Sequence, residues 1–276
     1  MSELKLAVMQ GRLSPPWSGR FQSFPVESWA EEFGRAVVAG IDGIEWIHDE
    51  AGLSVNPLLT GSGRLEMTRL IQQSGVAVHG CCLDLFMERP LQETSDFESF
   101  NAALAACAEV GIERATLPLV DRSSAARLSD DEVAGLLEAC GEVGVDRGVR
   151  VDVEFDLDPE RAATVMSRVG DVVGVTYDSG NSAGLGFEID EEFAAYGQWV
   201  RSAHLKDRVR GGGTVPPGTG DADLPRFMDL LDLGRVDGWL TLQVARDVDG
   251  DEVAWIRTIG EQVRALNRAA RSQAAA

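Results

Sequence analysis

The chain has only three histidines, four cysteines and two tyrosines among 276 residues, and 25 basic side chains against 45 acidic ones. The shortage of basic residues leaves a formal charge of −20. Such a field repels phosphate backbones, which excludes DNA, RNA and anionic membranes as expected partners. Cys81, Cys82, Cys107 and Cys140 show no CxxC spacing, and two of them are adjacent. That pattern argues against a metal clip or disulfide framework and for reduced, mostly buried thiols in a cytoplasmic protein. No stretch approaches the roughly 20 apolar residues that span a bilayer. The short apolar run ending at Met9 is followed at once by Gln10, Gly11 and Arg12, so it reads as a strand and not as a signal peptide. Linkers, composition breaks and low-complexity segments are lacking as well.

What is present is a regular alternation. Hydrophobic residues make up 44% of the chain, ample for one large core. Strand-like segments at 4–10, 43–47, 76–82, 114–119, 150–155, 172–177, 200–205 and 238–243 alternate with helical patterns. The helical patterns cover 27–39, 63–74, 94–110, 130–145, 191–196, 223–231 and 252–270, with one more opened by Asp158-Pro159 as cap and first turn. Gly40 follows the first of them, where a left-handed cap is needed. Successive βα units imply a parallel sheet, and eight in a chain of this length predict a single closed (β/α)8 TIM barrel over residues 1–276, with 269–276 as a frayed tail.

Four of the strand segments end in a polar residue able to bind a metal: Glu154, Asp178, His204 and Gln243, spaced 24, 26 and 39 residues apart. One such residue per strand end places them together at the carboxyl-terminal rim, where barrel enzymes carry their chemistry. Two carboxylates, an imidazole and an amide oxygen suit one divalent ion such as Mn²⁺, Mg²⁺, Co²⁺ or Zn²⁺. Period-two alternation puts Asp152 on the same face as Glu154, inside the barrel, where it needs a polar partner. His79, mid-strand among small residues, reads as structural.

The segments Asp178-Ser179-Gly180-Asn181-Ser182-Ala183 and His204-Leu205-Lys206-Asp207-Arg208, followed by Gly211-Gly212-Gly213-Thr214-Val215-Pro216, resemble the sugar phosphate isomerase/epimerase branch of the xylose isomerase-like TIM barrel superfamily. So do Met9-Gln10-Gly11-Arg12-Leu13-Ser14-Pro15 and Ile44-Glu45-Trp46-Ile47. The resemblance implies a Glu, Asp, His, Glu metal site on the last four strands, which maps to Glu154, Asp178, His204 and position 243. There the chain departs, because Gln243 stands where the superfamily has its second glutamate, and an amide cannot take up a proton at neutral pH. Either Lys206 or Asp207 replaces that base, or Glu154 alone removes the proton and returns it to the same face.

The expected activity is a metal-dependent isomerase or epimerase acting on a small sugar, sugar phosphate or related keto-sugar through an enediolate. Enolisation needs a base at the C–H bond and a Lewis acid at the oxygens, for which Glu154 and the divalent ion are the candidates, with Lys206 stabilising the oxyanion or shuttling a proton. Gln10, Arg12, Glu45, Asp84, Asn181, Asp207, Arg208 and Arg246 are the candidate substrate contacts. Arg208, Arg210 and Arg246 offer guanidinium groups to a phosphate or carboxylate, and residues 211–213 offer a lid, an anion nest or a plain loop. A homo-oligomer is compatible with these features. Elimination on the same site is the alternative chemistry, and a non-catalytic metabolite-binding barrel is the alternative to chemistry, favoured by Gln243. An apurinic-site endonuclease of the superfamily is disfavoured, since its trinuclear zinc cluster uses several histidines.

Overall fold

A computed structural model describes residues 3–274. Eight parallel strands close into a barrel in sequence order: β1 (Lys5–Met9), β2 (Gly43–Ile47), β3 (Ala77–Cys82), β4 (Arg114–Leu119), β5 (Arg150–Phe155), β6 (Val173–Asp178), β7 (Val200–Leu205) and β8 (Trp239–Leu242), with β8 pairing back onto β1. The helices are α1 (Glu31–Ala39), α2 (Gly61–Ser74), α3 (Leu85–Glu88), α4 (Thr94–Val110), α5 (Asp130–Arg147), α6 (Pro159–Val169), α7 (Ser179–Leu185), α8 (Ile189–Tyr196), α9 (Leu224–Leu230) and α10 (Glu252–Ala274). The (β/α)8 barrel expected from the alternation is the fold observed.

Local chemistry sets the boundaries. Gly40 closes α1 with φ 69°, the left-handed conformation that costs glycine nothing. Asp158 caps α6 through a bond from the Arg161 N–H, with Pro159 in the first turn, as expected. The first helix starts at Glu31 and not at 27, because residues 27–30 form a turn instead. The last helix continues to Ala274; residues 275 and 276 of the expected frayed tail lie outside the described residues. None of the described helices is long and apolar enough to cross a membrane.

Alternate residues of each strand divide the barrel into two environments. Outward side chains such as Ile44 and Trp46 pack against the helices, and Trp46, fully buried, meets the rings of Phe24, Trp29 and Phe33. The inward set is polar. Thr241 links Glu45 to His79, and Arg114 reaches the other nitrogen of His79. Thr116, Thr176 and Ser202 continue to Asp152, which also meets Arg150 at 3.3 Å. This chain of partners answers the need of a buried Asp152 for compensation. All four cysteines are free and buried.

Candidate metal centre and cavity

The strand ends bring Glu154, Asp178 and His204 together, each buried, with one ligand atom from each within 4.8 Å of the others. Register explains the meeting: Asp178 pairs with His204 across β6 and β7, and His204 with Thr241 across β7 and β8. Gln243 follows β8 by one residue and joins the group through Lys206. The Lys206 ammonium lies 3.3 Å from Asp178 Oδ2, 3.1 Å from Asn181 Oδ1 and 3.4 Å from Gln243 Oε1.

Each of the three leaves one donor atom facing the common point. Asp178 Oδ1 accepts the Gly180 and Asn181 N–H groups as the cap of α7, so Oδ2 is the outward oxygen. Glu154 Oε1 accepts from the Asn181 amide, leaving Oε2, which stands 3.7 Å from His204 Nδ1. That Nδ1 is buried with no hydrogen-bond partner, while Nε2 is 3.0 Å from Glu45 Oε2. Glu45 can only accept, which assigns the hydrogen to Nε2 and directs the Nδ1 lone pair to the site. An orphaned imidazole nitrogen beside two carboxylate oxygens fits a divalent ion.

Electrostatics agrees. Burial pulls His204 down, but Glu45, then Glu154 and Asp178, hold its pKa at about 9. Binding a metal at Nδ1 therefore releases a proton. Burial, reinforced by the charge of Asp178, raises Glu154 to about 7. Burial also works against ionisation of Glu45, yet the His204 charge holds it well below the usual carboxylate range.

Glu45, expected to meet sugar hydroxyls, instead has both oxygens engaged by His204, Thr116 and Thr241. It orients the His204 ring. Glu45→Gln should weaken divalent-metal affinity about 10- to 100-fold, the usual effect of losing such a carboxylate. Titration with Mn²⁺ against a chelator measures this, and unchanged affinity would remove Glu45 from that role.

Glu154 also lines a cavity of about 350 Å³. Of the expected site residues, Glu154, Lys206, Gln243, Asp84, Asn181 and Arg208 line it. Asn181 and Arg208 are joined, since Arg208 Nη1 donates to Asn181 Oδ1 at 3.0 Å. Gly180 lets Lys206 pass: a Cβ there would lie 2.5 Å from the lysine Cγ.

Other expected contacts point elsewhere. Gln10 is fully buried and its Oε1 accepts the Ile47 N–H. Arg12 donates to the Val244 and Phe21 carbonyls and to Gln22. Arg246 donates to the carbonyls of Phe21, Ser14 and Gly11 and pairs with Glu252. These two arginines fasten the β1–α1 loop to the end of β8. Asp207, fully buried, accepts the Gly218, Gly220 and Ala222 N–H groups, so its carboxylate orders the β7–α9 loop and does not face the cavity as a second base. The Gly211 and Gly212 N–H groups are already bonded to the Gly184 and Val209 carbonyls, which removes them from an anion nest.

Gln22 was not anticipated. It lines the cavity, donates to Asp84 Oδ2 at 2.7 Å and accepts from Gln243 Nε2 at 2.9 Å. Its loop, rich in proline and glycine, carries no periodic signal, and only the nearby arginine anchors reveal that it is held.

Residues 33–268 match the family described as xylose isomerase-like TIM barrel. No curated protein matched by sequence. Among solved structures, the IOLI protein with a bound zinc atom superposes with TM-score 0.70 at 15% identity, covering 96% of this chain and 98% of that one. The 3-keto-D-glucoside 4-epimerase YcjR from E. coli gives TM-score 0.63 at 18% identity, covering 93% and 100%. The probable 3-DHS dehydratase AsbF from Bacillus anthracis gives 0.68 at 10%, covering 94% and 99%. At these identities the likeness is one of fold.

Proposed function

We propose, from the premise that the chain belongs to the xylose isomerase-like TIM barrel family, that it is a metal-dependent isomerase or epimerase of a small sugar or keto-sugar, working through an enediolate. The observation that carries this reading is the orphaned His204 Nδ1, buried beside Asp178 and beside Glu154, which lines a cavity. Glu154, Asp178 and His204 would hold the ion, with the Gln243 amide oxygen as the expected fourth donor, linked to Asp178 through Lys206. A bound divalent cation supplies Lewis-acid polarisation of a carbonyl and its neighbouring hydroxyl. Glu154 takes the proton from the carbon between them, its carboxylate oriented by the Asn181 amide. Lys206, held by Asp178, Asn181 and Gln243, lines the same cavity and serves the substrate oxygens or the opposite face. Asp207 has no part in this, being committed to its loop.

The zinc in one structural neighbour and the epimerase activity of another support the reading. Elimination is the second reading, since Lys206 lines the cavity and can protonate a leaving hydroxyl, and one neighbour is described as a probable dehydratase. Protein stripped with EDTA and reloaded with Mn²⁺, Co²⁺, Zn²⁺ or Mg²⁺ should exchange solvent deuterium into ketoses or keto-glycosides only when loaded. Exchange that survives chelation sinks the metal-dependent reading. A new enone absorbance without isomer formation selects elimination.

A further inference from the structure

We infer that the rim of this cavity selects an uncharged keto-sugar bearing an apolar substituent and discriminates against a phosphorylated one. The inference rests on the proposed isomerase or epimerase reading and narrows its substrate class. Phosphate sites gather guanidinium forks, helix N-termini or open backbone N–H groups. Here those donors are spent. Arg12 and Arg246 are turned onto backbone carbonyls, and Arg210 onto Gly186 and Glu188. Arg208 gives its Nε and Nη2 to the Gly212 carbonyl and Nη1 to Asn181. The N-terminus of α7, beside the cavity, is already capped by Asp178.

The charge at the mouth points the same way. Asp84, Asp121 and Asp156 line the cavity against Lys206 and Arg208, before Glu154 is counted. A divalent ion would be balanced by Glu154 and Asp178, and Asp121 and Asp156 match Lys206 and Arg208, so the rim offers no net positive charge to a phosphate. Around it the chain carries a net −20, which lowers the local concentration of any anionic substrate.

The apolar part of the inference comes from Phe21 and Leu185. Both line the cavity, yet they are 43% and 49% exposed. Large apolar side chains uncovered at the mouth of a polar cavity mark a surface that a ligand covers. The Phe21 ring rests on the Arg12 guanidinium, 4.3 Å away, and its carbonyl accepts from both Arg12 and Arg246, so its position is fixed before any ligand arrives. Leu185 ends α7, the helix whose Asn181 orients Glu154. Both line the same cavity as Glu154, so the aglycone of a keto-glycoside held there would meet these two side chains.

The test uses Mn²⁺-loaded protein and solvent deuterium wash-in with four probes: D-fructose, D-fructose 6-phosphate, and the methyl and phenyl 3-keto-β-D-glucosides. The expected kcat/KM for the phenyl glucoside exceeds that for the methyl one by about tenfold, the scale of partly burying one ring. The phosphate ester should be about tenfold worse than the free ketose. In Leu185→Asp the phenyl-to-methyl ratio should fall towards one. Equal or better exchange with the phosphate ester, or no phenyl advantage, overturns the inference while the isomerase reading stands. No exchange into any of the four overturns that reading and the inference with it.

Discussion

Glu154→Gln should lose solvent deuterium exchange by at least ~10²–10⁴-fold, the contribution of a positioned general base. The substitution keeps the size of the side chain and can retain the contact with Asn181, so the cavity should persist. What disappears is a proton acceptor and one negative ligand atom, the Oε2 that faces His204 Nδ1. Metal binding therefore weakens too, and the two losses are separable by assaying at saturating Mn²⁺, where only the proton-transfer loss remains. Undiminished exchange under those conditions would move the base elsewhere. Lys206 would then be next, because Asp207 is bound to the Gly218, Gly220 and Ala222 N–H groups.

The barrel was legible because a period-two apolar segment followed by a helical one, repeated eight times, has few other ways to bury itself. The cluster of Glu154, Asp178 and His204 was legible for a related reason: each is a polar residue ending an apolar strand, at strand–helix spacing. Glu45 looked the same in sequence and does something different. Its partner His204 lies 159 residues away, and only the register of a closed barrel brings them together. Arg12 and Arg246 were misread as substrate contacts because guanidinium groups advertise anions, whereas their acceptors here are backbone carbonyls that no side-chain pattern reveals. Helix α7 is not expected from the sequence, its Ser-Gly-Asn-Ser run having poor helix propensity. It forms because Asp178 caps it and the Ser179 hydroxyl is tied to the Lys206 backbone of the next strand–loop junction.

That cap makes Asp178 the other residue with a large expected effect, through two separable functions. Its Oδ1 holds the Gly180 and Asn181 N–H groups, and its Oδ2 faces the metal position and Lys206. Asp178→Ala removes both. Tight metal binding should be abolished, and loss of the cap should cost about 0.5–2 kcal/mol. The barrel itself should stay folded, since the residue sits on the rim. Asp178→Asn separates the functions: its side-chain oxygen can still cap α7, but the charge at the metal is gone. The stabilisation that metal confers, about 2.7 kcal/mol at a concentration 100 times Kd, should vanish in both variants at metal levels that saturate the wild type. Without metal, the asparagine variant should melt close to wild type and the alanine variant lower. Metal content measured by elemental analysis decides the assignment: full occupancy in Asp178→Ala would show that the ion is held without it. Equal melting of the two variants without metal would show that the cap contributes nothing to α7, leaving Asn181 positioned by its contacts with Glu154, Lys206 and Arg208.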